Sequence, residues 1–135
     1  MITAVDTSVI LDILTANPAH IESSKGMFIK CQLQGRVIAC PIVWSELRPL
    51  FNKDAEMETT MERLGVDFDL LDMPSALLAG MTWKDYRSRG GPRERIISDF
   101  LIGAHATVRA NRLLTRDRGF YRNYFKKLVV VEGGL

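Results

Sequence analysis

Little in this chain of 135 residues can be cross-linked, and nothing in it is long enough to cross a bilayer. Cys31 and Cys40 are the only cysteines. Two cysteines without metal-type spacing form neither a disulfide scaffold nor a zinc site, so two buried thiols in a reducing cytosol are expected. No apolar run approaches the roughly 20 residues that span hydrocarbon, so no membrane role is expected. The N-terminus lacks a basic region and enters a strand pattern at once, so no signal peptide is expected. The turn after that strand, "DTSVIL", has no glycine, which argues against a dinucleotide-binding fingerprint. Ser8 stands where a haloacid-dehalogenase-type phosphatase needs a second aspartate. No repeat, low-complexity segment or internal linker breaks the pattern.

What is present is an ordinary globular composition, 47% hydrophobic and 25% charged. The length fits one domain over residues 1–135, able to bury roughly two thirds of its unfolded surface. The net charge of +2 hides an asymmetry. Residues 1–79 carry 6 Lys+Arg against 11 Asp+Glu, and residues 80–135 carry 12 against 5. That division can build a basic face for phosphate-rich partners, or it can be scattered over a solvated surface.

Strand and helix patterns alternate. "ITAVD", "RVIACP", "VDFDLLD", "RLLTRD" and "KLVVVEG" read as short strands. "SVILDILT" reads as a helix capped by Ser8 or Thr7. "AHIESSKGMFIKCQL" reads as a helix with Ile21, Phe28 and Leu33 among its apolar positions. "IVWSELRPLF" is a helix that Pro49 should break. "DAEMETTMERLG" is amphipathic, with Met57, Met61 and Leu64 on one side and Gly65 ending it. "PSALLAGMTWKDYRSR" starts at a proline and ends on basic residues. "ISDFLIGAHATVRAN" is apolar almost all round after Asp99 and should be buried. The alternation predicts an α/β three-layer sandwich with a mostly parallel five-stranded sheet flanked by helices.

Four acids fall at one edge of that fold. Asp6 follows the first strand, Glu46 follows the second, Asp99 opens the buried helix, and Asp117 follows "LLT". In such sheets ligands bind outside the carboxyl ends of the strands. Gathered carboxylates repel, and a cation between them relieves the repulsion. Hard oxygen ligands suit Mg²⁺ or Mn²⁺, which can activate a water and neutralise a phosphoryl oxygen. With arginines nearby, the pattern points to phosphodiester hydrolysis. Singly, each acid also reads as a helix cap, turn residue or solvated side chain.

"VDTSVILDIL", "SEL" after "ACPIVW", "SDFLIGAHA" and "LLTRDRGF", in that order, resemble the motifs of a PIN-domain ribonuclease, most closely the VapC-like toxins of type II toxin–antitoxin systems. The resemblance implies a Mg²⁺- or Mn²⁺-dependent endoribonuclease acting in the cytoplasm on RNA, tRNA and rRNA included. It implies a cognate antitoxin protein and a homodimer. By position, Asp6, Glu46, Asp99 and Asp117 take catalytic roles, with Asp6, Asp99 and Asp117 as metal ligands. Ser8, Thr115 and Arg116 become substrate-side candidates, the hydroxyls orienting waters or metal ligands and Arg116 either meeting phosphate or simply lying at the surface. "GGPRERIIS" is more basic than the family pattern, and Gly103 and His105 also depart from it, which bears on substrate choice.

The rival class is a non-catalytic PIN module that binds RNA or a protein partner. His20 and His105 do not form the acid–base pair of a metal-free ribonuclease, and His105 is expected to be packed and hydrogen-bonded. Trp83 and Tyr86, beside Lys84, Arg87 and Arg89, are expected to pack in a core or interface, with base stacking as the other reading. The Met57/Met61/Leu64 stripe is either core or, as in VapC-like proteins, part of a dimer and antitoxin groove.

Overall fold

The computed structural model describes residues 1–91 and 97–131. Its sheet is built from β1 (Ile2–Val5), β2 (Arg36–Ala39), β3 (Val66–Phe68) and β4 (Arg112–Leu114) in the order β3-β2-β1-β4. Every pairing is parallel. The strands read as nearly unbroken apolar runs because both faces are covered. Ala4, Val5, Val37, Ile38, Ala39, Leu113 and Leu114 are all buried. The expected fifth strand is reduced, among the described residues, to one parallel bridge between Leu113 and Val130. Two backbone bonds hold it, Leu113 N–H to Val129 O at 2.8 Å and Val131 N–H to Leu113 O at 2.9 Å.

The connections set the position of the site. From β1 the chain runs through α1 (Thr7–Leu14) and α2 (Ile21–Gln34) to β2. It continues through α3 (Pro41–Leu47), a 3₁₀ turn (Arg48–Leu50) and α4 (Asp54–Leu64) to β3. It then crosses back through α5 (Met73–Ser88) and α6 (Ile97–Arg109) to reach β4 on the far side of β1. Right-handed crossovers place these two sets of helices on opposite faces. The strand order therefore reverses between β1 and β4, and in open α/β sheets ligands bind at such a point, outside the carboxyl ends of the strands.

Local signals explain most boundaries. α3 gives way at Arg48, just before Pro49, as the restriction on residues preceding proline requires. Gly65 ends α4 in the left-handed conformation, φ 72°. Asp72 caps α5 by accepting from the Ser75 N–H at 2.9 Å. α1 is capped by Asp6 rather than by Thr7 or Ser8. Cys31 and Cys40 are buried free thiols.

Of the two readings of the Met57/Met61/Leu64 stripe, burial favours core, with Met57 and Met61 4% and 0% exposed. Leu33 is 84% exposed despite its helical spacing. The segment after β4 contains a helix, α7 (Arg118–Tyr124), that periodicity did not signal. Its aromatics join those of α5 and α6, with Phe100 centred 5.2 Å from Phe120 and Tyr86 centred 5.1 Å from Tyr124. Gly103 is explained by this packing, since a Cβ there would collide with the ring of Phe125. Tyr86 is thus core, while Trp83 keeps part of its indole at the surface.

His105 is buried on α6, its Nε2 2.8 Å from Asp69. Burial lowers its pKa, against the pull of Asp69. Arg109 binds both Asp69, at 2.6 Å, and Asp72, at 3.0 Å. This network ties α6 to the loop between β3 and α5.

Candidate active site

The register of β1 and β4 pairs Val5 with Leu114. The next residues, Asp6 and Thr115, therefore leave the sheet side by side at the switch point. The Asp6 N–H continues the ladder, bonding Leu114 O at 2.9 Å. The Thr115 hydroxyl donates to Asp6 Oδ2 at 2.7 Å and accepts from the Asp117 N–H at 3.0 Å. One threonine thereby fixes the carboxylate after β1 and the backbone of the acid after β4.

The other Asp6 oxygen, Oδ1, accepts from the Thr7 N–H at 2.8 Å, the first free donor of α1. The Thr7 hydroxyl turns away and donates to Glu46 Oε1 at 2.8 Å, joining α1 to α3. Thr7 is the residue that sequence reasoning missed here. Its signal was the hydroxyl directly after Asp6, which was assigned to helix capping. Ser8 Oγ stands 3.5 Å from Asp6 Oδ2, at the limit of a hydrogen bond.

Asp6 is only 7% exposed. Burial pushes its pKa up to about 6, the bonds from Thr115 and Thr7 oppose the shift, and the charges of Asp99 and Glu46 add to it. Asp99 lies in the first turn of α6 and Asp117 at the N-cap position of α7. Glu46 and Asp99 are thus close enough to act on Asp6, and the backbone of Asp117 is tied in through Thr115. Among the described residues, no three His, Cys, Asp or Glu side chains are gathered tightly enough to hold an ion by themselves.

Arg116 does not face this edge as a free cation. Its Nε bonds Asp12 Oδ2 at 2.7 Å and its Nη2 bonds Asp12 Oδ1 at 3.1 Å. Burial alone would raise the Asp12 pKa, but the bonds from Ser24 and Arg116 bring it below the usual value. Arg116, expected to meet phosphate, is thus paired with Asp12 and keeps 39% of its side chain exposed. Arg93 and Arg95 of "GGPRERIIS" lie outside the described residues.

A parallel sheet with a strand-order reversal, carrying at that reversal a buried acid on which two further acids act, defines a doubly wound α/β protein with an acidic edge. The PIN domain family matches residues 3–126, and the chain belongs to that family. No curated protein matches it in sequence. Among solved structures it is similar to a chain of VapBC2 from Rickettsia felis bound to a promoter DNA fragment, at 17% identity and TM-score 0.73, covering 97% of this chain and 98% of that one. It is also similar to a chain of VapBC-1 from nontypeable Haemophilus influenzae, at 19% identity and TM-score 0.71, covering 98% of each. A chain of FitAcB from Neisseria gonorrhoeae matches at 23% identity and TM-score 0.68, covering 98% of each.

Proposed function

We propose that the protein is a Mg²⁺- or Mn²⁺-dependent endoribonuclease, the toxin of a toxin–antitoxin pair, acting in the cytoplasm. The observation that carries the reading is Asp6, a buried carboxylate held by two neighbours at the switch point and facing the negative charge of Asp99 and Glu46. Membership of the PIN family supports nuclease chemistry. The likeness to chains of VapBC and FitAcB structures supports an antitoxin partner, and a homodimer is proposed beside it.

The donor set fits the proposed ion. It consists of carboxylate and hydroxyl oxygens, which suit hard cations. Mg²⁺ takes one or two carboxylates and keeps several waters, so a loose acidic edge suffices where a tight cage is absent. When bound, the ion would neutralise a phosphoryl oxygen and lower the pKa of a water. Asp6, Asp99 and Asp117 would hold it, one or two of them directly and the rest through its waters. Thr115 keeps Asp6 in one rotamer and tethers the backbone of Asp117. Glu46, oriented by Thr7 and exposed to solvent, is placed to accept a proton from an attacking water.

The competing reading is a PIN module that binds RNA or a protein without cutting. Incubating the purified protein with single-stranded RNA, with Mn²⁺ and with chelator, separates the two. Cleavage that needs the ion and disappears in Asp6→Asn and Asp99→Asn supports the nuclease. RNA left intact by folded protein in millimolar Mn²⁺ would sink it.

A further inference from the structure

The basic half of the chain offers one surface that the acidic edge does not use. Gly80, Trp83, Lys84, Arg87 and Ser88 fall at helical spacing on one side of α5 and line an open cleft of about 560 Å³. That volume lies in the range of small-ligand sites. Arg87 sits with its guanidinium carbon 5.1 Å from the centre of the Trp83 ring. Tyr86, on the opposite side of α5, packs its ring 5.3 Å from Phe100, the neighbour of Asp99. The end of α5 that carries the cleft is therefore fastened to the end of α6 that carries a catalytic candidate.

Gly80 is the informative residue. Glycine inside a helix costs about 1 kcal/mol relative to alanine. Packing does not require it, since a Cβ at Gly80 would touch nothing within 4 Å. What the missing side chain does is leave the cleft open beside Trp83 and Lys84, three and four residues on.

We propose that this cleft is a nucleotide subsite for single-stranded RNA, flanking the acidic edge. The Arg87 guanidinium, backed by the Trp83 indole, is a preformed stacking plane for a base. Lys84 supplies a cation for the adjoining phosphate. The chemistry favours RNA over an apolar protein segment, because the cleft combines a ring with two positive charges and has no carboxylate in its lining. The choice of RNA rests on the nuclease reading; the test does not.

The test is binding without cleavage. A short 5′-labelled single-stranded oligouridylate, and an abasic strand of equal length, are titrated in chelator against wild type, Gly80→Gln and Trp83→Ala, with fluorescence anisotropy as the readout. Gly80→Gln fills the cleft, keeps Lys84 and should melt no lower than wild type. It should bind oligouridylate about tenfold more weakly, the scale of one lost stacking contact. Its affinity for the abasic strand should equal that of wild type. Trp83→Ala should show the same pattern; if it fails to fold, Gly80→Gln alone decides. Oligouridylate binding unchanged by Gly80→Gln, an equal loss with the abasic strand, or no binding by wild type would each overturn the subsite. A separate arm with Mn²⁺ scores cleavage. No cleavage alongside a persistent Gly80→Gln effect would remove the nuclease reading and leave the subsite standing.

Discussion

Two aspartates at the first helix are both buried and have opposite fates. Asp12, 1% exposed, accepts from Ser24 at 2.6 Å, from Asn17 at 3.1 Å and from Arg116, a cation. Its pKa falls. Asp6, 7% exposed, accepts from two hydroxyls and one N–H, faces two further acids, and its pKa rises to about 6. Burial is therefore not what separates the two acids. The difference lies in the partners: Asp12 bonds a cation, whereas among the described residues Asp6 bonds only hydroxyls and an N–H and feels two further acids.

The sharpest way to break the comparison is to neutralise each acid in turn. Asp6→Asn should reduce RNA cleavage by more than about a hundredfold, beyond the usual effect of losing a group that only orients a ligand. Asp12→Asn should leave cleavage per folded molecule nearly intact and cost about 2 kcal/mol of stability, the scale of hydrogen bonds to a charged group. Single-turnover cleavage beside urea unfolding measures both. Equal activity losses in the two variants would mean that Asp6 is as structural as Asp12.

Arg116→Ala comes next. It removes the cation from a buried carboxylate and should destabilise the fold by about 3 kcal/mol. The slope of RNA affinity against salt should stay the same, because the side chain is committed to Asp12. A slope reduced by about one ion would support the phosphate role expected from the sequence.

A pH series separates the acids by sign. Without metal, the raised pKa means that folded Asp6 holds its proton between about pH 4 and 6 while the unfolded chain has lost it. Its contribution to stability therefore falls as pH rises through that window, by about 3 kcal/mol in all. Asp6→Asn should be no more stable than wild type near pH 4 and more stable at pH 8. Mn²⁺ should close that gap at pH 8 by binding the folded state. A gap between the two proteins that did not change with pH would show that Asp6 carries no strain.

These contrasts also mark what the sequence made legible. Asp6 and Asp117 could be placed because a strand end is a local signal and the edge at which strands end is shared. The helix boundaries at Pro49 and Gly65 were legible for the same reason, since backbone chemistry is local. Partnerships were not. Arg116 and Asp12 lie 104 residues apart, and nothing near either residue says that they meet. Met57 and Met61 read as a stripe, but a stripe does not say whether solvent or core faces it. α7 was missed because its seven residues, with Gly119 among them, are too few for periodicity. It is held instead by rings on α5 and α6. The fifth strand was over-read, since "KLVVVEG" has strand composition and, among the described residues, makes one bridge.

The smallest of the expected effects tests how the site is held. Thr115 donates to Asp6 and accepts from the Asp117 N–H, so its hydroxyl links the acids of β1 and β4. Thr115→Ser keeps that hydroxyl and should retain most cleavage. Thr115→Val keeps the shape and removes both bonds. The Thr115 bond is one of the two that hold the Asp6 pKa down, so its loss should raise that pKa further. At neutral pH a larger fraction of Asp6 would then be protonated and unable to bind a cation. Cleavage by Thr115→Val should fall about tenfold at pH 7. Part of the loss should return as pH rises or as Mn²⁺ is increased, because both favour the ionised carboxylate. The measurement is a cleavage profile from pH 5.5 to 9 at two Mn²⁺ concentrations for wild type, Thr115→Ser and Thr115→Val. An acid limb that does not move in Thr115→Val would mean that the threonine only packs. An equal loss in Thr115→Ser would mean that its methyl group, and not its hydroxyl, places Asp6.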